Sequence, residues 1–194
     1  MKAVSSLPEG YREYYSLNLQ KDKKKAILVN GISLVIAVVM LVPMNFIVPI
    51  SSLFSMDAGI VAFAVRIISF SVLSVLYLVI HELVHGIAMK LCGTQKVKYG
   101  FTGMYAFAGS DDYYGKKPYI FIALAPVVLL GIVFTAVNFF VPTEWVWVIY
   151  GLQIFNISGA AGDYFVTLKF SRFPKDILIR DHGVGMVVYS RNNN

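Results

Sequence analysis

The stretch Val79-Ile80-His81-Glu82-Leu83-Val84-His85-Gly86 lies in a long apolar segment and carries the pattern H-E-x-x-H. On a helix with about 100° per residue, His81 and His85 lie roughly 40° apart and one turn displaced, so both imidazoles can bind one metal ion. Glu82 lies roughly 60° from His85, where its carboxylate can hold a water without ligating the metal. The stretch contains two of the chain's three histidines. The pattern therefore predicts a metal site on a helix.

The alternative is a chance match, in which each histidine is a buried side chain bonded to a backbone carbonyl. Three ionisable side chains within one turn of an apolar helix are costly to bury, and such residues in membrane helices are usually functional. The metal site is the favoured interpretation.

Composition indicates a membrane protein. Of the 194 residues, 57% are hydrophobic and 14% are charged, and several apolar runs are long enough to cross a hydrocarbon layer of about 30 Å. We predict an all-α membrane protein with about four transmembrane helices in one membrane-embedded core, residues 26–169, between a cytoplasmic arm, 1–25, and a cytoplasmic tail, 170–194. The predicted spans are 26–48, 64–90, 119–141 and 145–168.

Short β elements are predicted outside the spans. Tyr11 to Leu19 alternates weakly and indicates a strand or an interfacial arm. Val97 to Phe107, in the central loop, alternates between apolar and small or polar residues and is punctuated by glycine, which predicts a β-hairpin at the membrane face. The tail from Ile177 to Tyr189, broken at His182-Gly183, predicts a second small hairpin.

The basic residues predict the orientation. With the N-terminus inside, all 17 Lys and Arg residues except Arg66 fall in the N-terminal segment, the central loop or the tail, or at the span ends that adjoin them, as Lys90 and Lys169 do. The positive-inside rule then places these three regions and both termini in the cytoplasm. Arg66 is interpreted as an interfacial anchor at the end of its helix. The net charge of +6 follows from this distribution, so no nucleic-acid partner is expected.

A catalytic zinc takes three protein ligands and keeps one position open. Asp163 is the one carboxylate well within another predicted span, and it lies roughly 9 Å inward of Lys169 at a rise of about 1.5 Å per residue. By the same measure His81 and His85 lie roughly 13 and 7 Å inward of Lys90. Because the depths match on the same side, we predict Asp163 as the third ligand.

Other third ligands remain open. His182 is the remaining histidine, although it lies in the predicted cytoplasmic tail, and Asp111 and Asp112 could approach from the central loop. Asp163 could instead make only a buried hydrogen bond. Asn156 lies seven residues before Asp163, about two turns, so it shares that helix face and could bind a substrate backbone or order the site. The small residues between them allow two helices to pack closely.

The H-E-x-x-H stretch, the run Phe121-Ile122-Ala123-Leu124-Ala125-Pro126 and the segment 156–163 resemble the putative zincin peptidase family of small bacterial membrane proteins. More distantly, they are similar to the site-2 protease group of intramembrane metalloproteases. In that group a later helix carries Asn and Leu-Asp-Gly, where this chain has Gly162-Asp163-Tyr164. The resemblance implies an integral protein of the bacterial cell membrane, and it implies that the central hairpin offers an edge strand to an unwound substrate.

The leading hypothesis is a zinc-dependent endopeptidase that cleaves membrane-protein or peptide substrates near the cytoplasmic leaflet of the lipid bilayer. His81, His85 and Asp163 would hold the metal, and Glu82 would be the general base. Two histidines and a carboxylate favour zinc over other divalent ions. The alternatives are the same site open to the cytosol and a non-proteolytic metal-binding membrane interaction protein. The oligomeric state is unknown.

Overall fold

The computed structural model describes residues 2–18, 20–103, 105–183 and 185–191; the last residues of the predicted tail, 192–194, lie outside this range. The fold is mostly helical with small β elements. The helices are α1 (Lys23–Ile47), α2 (Ile60–Leu91), α3 (Lys116–Asn138), α4 (Val146–Gly159) and α5 (Ala161–Ser171). The strands are β1 (Arg12–Leu17), β2 (Lys98–Phe101), β3 (Ala106–Gly109), β4 (Tyr113–Gly115), β5 (Leu178–Asp181) and β6 (Met186–Ser190).

Three helices of the described chain, α1, α2 and α3, are long and apolar enough to cross a membrane. Each coincides with one of the first three predicted spans. Their large apolar side chains are widely exposed, for example Ile68, Val72 and Val75 on α2, as expected of helices that face lipid. With 32 residues, α2 is roughly 48 Å long at 1.5 Å per residue. It therefore exceeds the hydrocarbon thickness of a bilayer.

The predicted fourth span, 145–168, is not one continuous helix. It is divided into α4 and α5 by Ala160, whose φ of −79° and ψ of 15° end α4. The flanking residues Gly159 and Gly162 carry no side chain, which lowers the cost of interrupting a helix. Each half is too short to cross a bilayer alone, and together they have the length of one span.

The chain divides into two compact units, of which the first comprises Met1–Val29, Glu82–Ala125 and Gly162–Asn194. It contains an antiparallel sheet with strand order β1-β6-β5-β4 and a separate β2-β3 hairpin. Its hydrophobic core joins this sheet to α5 and to parts of α2 and α3, and its most buried members are Tyr114, Phe170, Ile177, Ile179 and Val188.

The structure confirms the predicted β elements and adds to them. β1 lies in the predicted N-terminal arm, β2 pairs with β3 in the central loop, and β5 pairs with β6 across the predicted break in the tail. The all-α description was wrong in detail, because four strands from distant parts of the chain form one sheet. The three-residue strand β4 is too short for alternation to reveal it.

The second unit comprises Asn30–His81 and Pro126–Ala161. Trp147 and Val148 of α4 pack with Leu53 in one cluster, and Tyr77 packs with Leu130 and Leu152 in another. The interfacial-anchor role of Arg66 in this unit stays a prediction. The side chain of Arg66 is buried, and its guanidinium donates a hydrogen bond to the carbonyl of Ser55. Ser55 directly follows a short 3₁₀ helix, Ile50–Phe54.

Candidate metal centre

His81 and His85 lie one turn apart near the C-terminal end of α2, as the spacing predicts. His81 is buried, with 8% of its surface exposed, and the side chain of His85 is 12% exposed. Glu82 lies on the same turn and is partly exposed. The helix therefore presents two imidazoles and a carboxylate from a single turn, which is the arrangement expected of an H-E-x-x-H helix.

Asp163 lies in the first turn of α5. Because α4 ends at Ala160, α5 begins at Ala161, two residues before Asp163. A carboxylate in the first turn of a helix is stabilised by the positive end of the helix dipole. The Oδ1 atom of Asp163 is 3.6 Å from Nε2 of His85. Sequence depth alone predicted that these two side chains would lie at the same level, and the structure brings them together.

The ligand atoms of His81, His85 and Asp163 all lie within 4.8 Å of one another. Two imidazole nitrogens and one carboxylate oxygen form the donor set of many catalytic zinc sites, which keep a fourth position open. Among the residues that the structure describes, this is the group of His, Cys, Asp and Glu side chains that could hold one metal ion.

The hydrogen bond of His85 fits a metal ligand. Its Nδ1 is 2.9 Å from the carbonyl oxygen of Ile122 in α3. A carbonyl can only accept, so Nδ1 carries the hydrogen and Nε2 presents its lone pair. Nε2 is the atom that faces Asp163, so the tautomer and the ring orientation both suit metal binding.

His81 is held through a tyrosine. The hydroxyl of Tyr77 lies 3.2 Å from Nδ1 of His81 and 3.3 Å from the carbonyl oxygen of Phe155, to which it donates. With its single hydrogen directed to Phe155, the hydroxyl oxygen accepts from Nδ1 of His81. A metal would then bind His81 through Nε2, as it would bind His85.

Asn156 is fully buried. Its Nδ2 donates to the carbonyl of Val127 at 3.0 Å, and its Oδ1 has no hydrogen-bond partner among the described residues. The predicted role of Asn156 in substrate binding remains a prediction.

The other candidate ligands lie elsewhere. His182 is exposed and does not belong to the three-residue group among the described residues; the pKa of its side chain is lowered by partial burial and by the charge of Arg180. Asp111 is held by Lys98 at 2.5 Å and by Arg180 at 2.9 Å. These two cations lower the pKa of Asp111 to about 2, so this carboxylate is part of a surface ion-pair network.

A carboxylate near the site was not predicted from the sequence. Asp181, at the end of β5, accepts a hydrogen bond from the hydroxyl of Tyr119 at 2.7 Å and another from the backbone N–H of Gly183 at 2.8 Å. Removal from water raises the pKa of Asp181; the hydrogen bonds from Tyr119 and Gly183 oppose this rise, and the negative charge of Asp163 adds to it. Its sequence position, before a glycine turn, is that of an ordinary turn carboxylate, so no local pattern indicates it.

The fold and the site define a class of protein: mostly helical, with helices able to cross a membrane and with a two-histidine, one-carboxylate group beside a glutamate. The family model described as "Putative zincin peptidase" matches residues 74–178, more than half of the chain, and the chain belongs to this family. The description of this family refers to zincins, which are zinc-dependent peptidases. The matched region includes His81, Glu82, His85 and Asp163.

A curated relative comes from Pyrococcus woesei and is described as an uncharacterized 24.7 kDa protein in the gap 5'region. It is 30% identical to this chain over an alignment of 122 residues, and the match covers 58% of this chain and 50% of the relative. The chain thus spans about half the length of that protein. The search of solved structures found no match.

Proposed function

We propose that the protein is a zinc-dependent, membrane-embedded endopeptidase that hydrolyses peptide bonds of membrane-associated substrates near the cytoplasmic leaflet. The observation that carries the proposal is the cluster of ligand atoms from His81, His85 and Asp163, which lie within 4.8 Å of one another. Glu82 lies next to His81 in α2, the helix that carries both histidines. Family membership supports the peptidase class.

Each side chain of the cluster has a distinct role in this proposal. His81, His85 and Asp163 bind the metal. When bound, a zinc ion polarises the carbonyl of the scissile bond and lowers the pKa of the attacking water. Glu82 accepts the proton of that water and then delivers it to the nitrogen of the leaving amine. Asn156 orders the site or binds the substrate backbone, and its burial together with its bond to Val127 favours ordering.

The charge distribution supports cleavage on the cytoplasmic side. Lys90 follows the H-E-x-x-H turn at the end of α2, and Lys169 follows Asp163 near the end of α5. Both cations mark the cytoplasmic ends of their helices under the positive-inside rule. We propose that α4 and α5 together make the fourth crossing, so that both termini are cytoplasmic.

An extended substrate segment is proposed to add to the edge of β2. In the described chain β2 pairs with β3 alone, which leaves its other edge available for β-addition,. β2 also lies against the H-E-x-x-H helix: a Cβ built on Gly86 would lie 1.9 Å from the hydroxyl of Tyr99. A strand bound along β2 would thus run close to the residue that follows His85.

The test combines metal content with proteolysis in detergent-purified protein. Zinc is measured for the wild type, Asp163→Ala, Glu82→Gln and His182→Ala; cleavage is measured with fluorescein-labelled casein and with single-span peptides in liposomes. We expect zinc to be lost only in Asp163→Ala. We expect Glu82→Gln to keep zinc and to lose activity by about 10²–10⁴-fold, the usual contribution of a general base, while His182→Ala behaves as wild type.

Each competing hypothesis has its own outcome. Cleavage of casein without detergent would indicate a site open to the cytosol. A zinc-loaded wild type that cleaves neither substrate would favour the metal-binding interaction protein. Loss of zinc in His182→Ala with retention in Asp163→Ala would overturn the ligand set.

A further inference from the structure

A proline interrupts the hydrogen-bond pattern of α3 beside the metal centre. In a regular α-helix the carbonyl of residue i accepts the N–H of residue i+4. Position 126 is proline, which has no N–H,. The carbonyl of Ile122, four residues earlier, therefore lacks its regular helical donor.

That carbonyl is in a place where water cannot easily replace the missing donor. Ile122 is 2% exposed and belongs to the hydrophobic core of its unit. Prolines are tolerated in membrane helices when a neighbouring group satisfies the freed backbone carbonyl. Here the neighbour is His85, whose Nδ1 lies 2.9 Å from the Ile122 oxygen.

We propose that Pro126 is a positioning residue for the metal centre. Because it leaves the Ile122 carbonyl open, it gives Nδ1–H of His85 an acceptor that fixes the tautomer and directs Nε2 toward Asp163, 3.6 Å away,. The inference rests on the proposed function in one respect only, namely that His85 is a metal ligand. In this proposal Pro126 acts by lacking a backbone N–H, which is separate from any bend that the proline ring causes in α3.

The same chain offers a comparison within a second apolar helix. Pro43 lies inside α1 and by the same rule releases the carbonyl of Val39,. Val39 is 64% exposed, and no side-chain donor to its carbonyl is found among the described residues. Pro43 thus has the same backbone effect without a metal ligand at the released carbonyl, so Pro43→Ala is a matched control.

The experiment separates the missing N–H from the proline ring. Three variants are compared with the wild type: Pro126→Ala, which restores the N–H; incorporation of lactic acid at position 126, which removes both the ring and the N–H; and Pro43→Ala. Zinc affinity is measured on metal-free protein by competition with a chromophoric chelator. The visible absorption spectrum after Co²⁺ loading reports the geometry at the metal.

We expect Pro126→Ala to lower zinc affinity by about 10–100-fold, as for loss of other groups that orient a metal ligand, and to change the Co²⁺ spectrum. The lactic-acid variant and Pro43→Ala should match the wild type. Circular dichroism and thermal unfolding of the metal-free proteins should show that Pro126→Ala is folded and no less stable, because alanine favours a helix.

Two results would overturn the inference while leaving the proposed function intact. One is wild-type zinc affinity in Pro126→Ala. The other is an equal loss of affinity in Pro126→Ala and in the lactic-acid variant, which would assign the effect to the ring. A wild type that binds neither zinc nor Co²⁺ would overturn the proposed metal site, and this inference with it.

Discussion

The two histidines of the candidate centre are held by different acceptors. His85 donates directly to a backbone carbonyl, whereas His81 reaches the carbonyl of Phe155 through the hydroxyl of Tyr77. Tyr77 is 5% exposed, so water cannot readily replace its hydroxyl as the hydrogen-bond partner of His81 or of the Phe155 carbonyl. The phenolic oxygen of Tyr77 therefore contributes to the orientation of His81.

Removal of that oxygen should weaken metal binding. In Tyr77→Phe the ring volume is kept, but Nδ1 of His81 loses its acceptor and the Phe155 carbonyl loses a donor. We expect zinc affinity to fall by about 10–100-fold, the usual effect of losing a group that orients a ligand. Chelator competition on metal-free protein measures this change.

Tyr150→Phe is the matched control, because it also removes one hydrogen-bonded hydroxyl, which donates to the carbonyl of Met40 at 3.0 Å. It should cost some stability and leave zinc affinity unchanged. Equal affinities of the wild type and Tyr77→Phe would show that His81 does not need this bond.

At the scale of single residues, the sequence indicates the candidate ligands more clearly than the groups that hold them. Helical periodicity is fixed, so the H-E-x-x-H spacing suffices to bring His81 and His85 together. Asp163 follows from matched depths along two helices. Tyr77 looks like any aromatic core residue, and the acceptor for His85 is a backbone carbonyl, which every residue has. Pro126 is visible in the sequence as a residue without a backbone N–H. Its relation to His85 can be recognised only when the structure shows that the Ile122 carbonyl of α3 lies beside α2.

Among the elements, the β2-β3 hairpin meets the turn between β5 and β6 at a glycine. A Cβ added to Gly109 would lie 2.6 Å from the backbone nitrogen of Gly183 and 2.6 Å from the backbone carbonyl carbon of His182. These are main-chain atoms, which cannot rotate away as a side chain can. Gly183 itself has a φ of +80°, which favours glycine,.

Gly109→Ala should therefore destabilise the protein. Because the added methyl group must push one strand end away from the turn, we expect a loss of about 1–3 kcal/mol in the free energy of unfolding, as for other overpacked sites. Denaturant unfolding in a mild detergent measures it.

Gly115→Ala is the control in a neighbouring strand, since its added Cβ would be 3.9 Å from Pro118, an ordinary contact. It should be neutral or slightly stabilising, because alanine restricts the unfolded chain. Equal stability of the two variants would mean that the hairpin and the turn are not held at this distance.

Local patterns predicted the elements unevenly, for physical reasons. Alternation and glycine punctuation marked both hairpins, since a strand with one covered face has a period of two residues. The interruption at Ala160 was not predicted, because its small neighbours were interpreted as a packing surface for a continuous helix. Small residues serve both purposes, and only the surrounding structure decides between them.

For the molecule as a whole, the sequence did not predict which strands pair when they lie far apart in the chain. β1, residues 12–17, pairs with β6, residues 186–190. The sequence of neither strand indicates which other strand it pairs with. Apolar length, by contrast, is a property of each segment by itself, so the three longest spans were predicted within a few residues. The proposed crossing by α4 and α5 depends on both kinds of information.

The number of crossings decides which side of the membrane holds the C-terminal tail. At 1.5 Å per residue, α4 is roughly 21 Å long and α5 roughly 17 Å, so neither alone crosses a core of about 30 Å. If together they form a fourth crossing, the tail lies on the same side as the N-terminal arm. If they do not, it lies on the opposite side, together with the loop that follows α3.

Labelling of single cysteines should show four crossings. In a Cys92→Ser background, cysteines replace one exposed residue in each region: Ser5, Asp57, Thr143 and Lys175. In intact cells a membrane-impermeant maleimide should label the positions at 57 and 143 only, whereas those at 5 and 175 should react after the membrane is opened.

Labelling at 175 in intact cells would indicate three crossings. Asp163 would then begin a segment that stays on the outer side, away from the cytoplasmic end of α2, and cytoplasmic-leaflet cleavage by this ligand set would have to be abandoned.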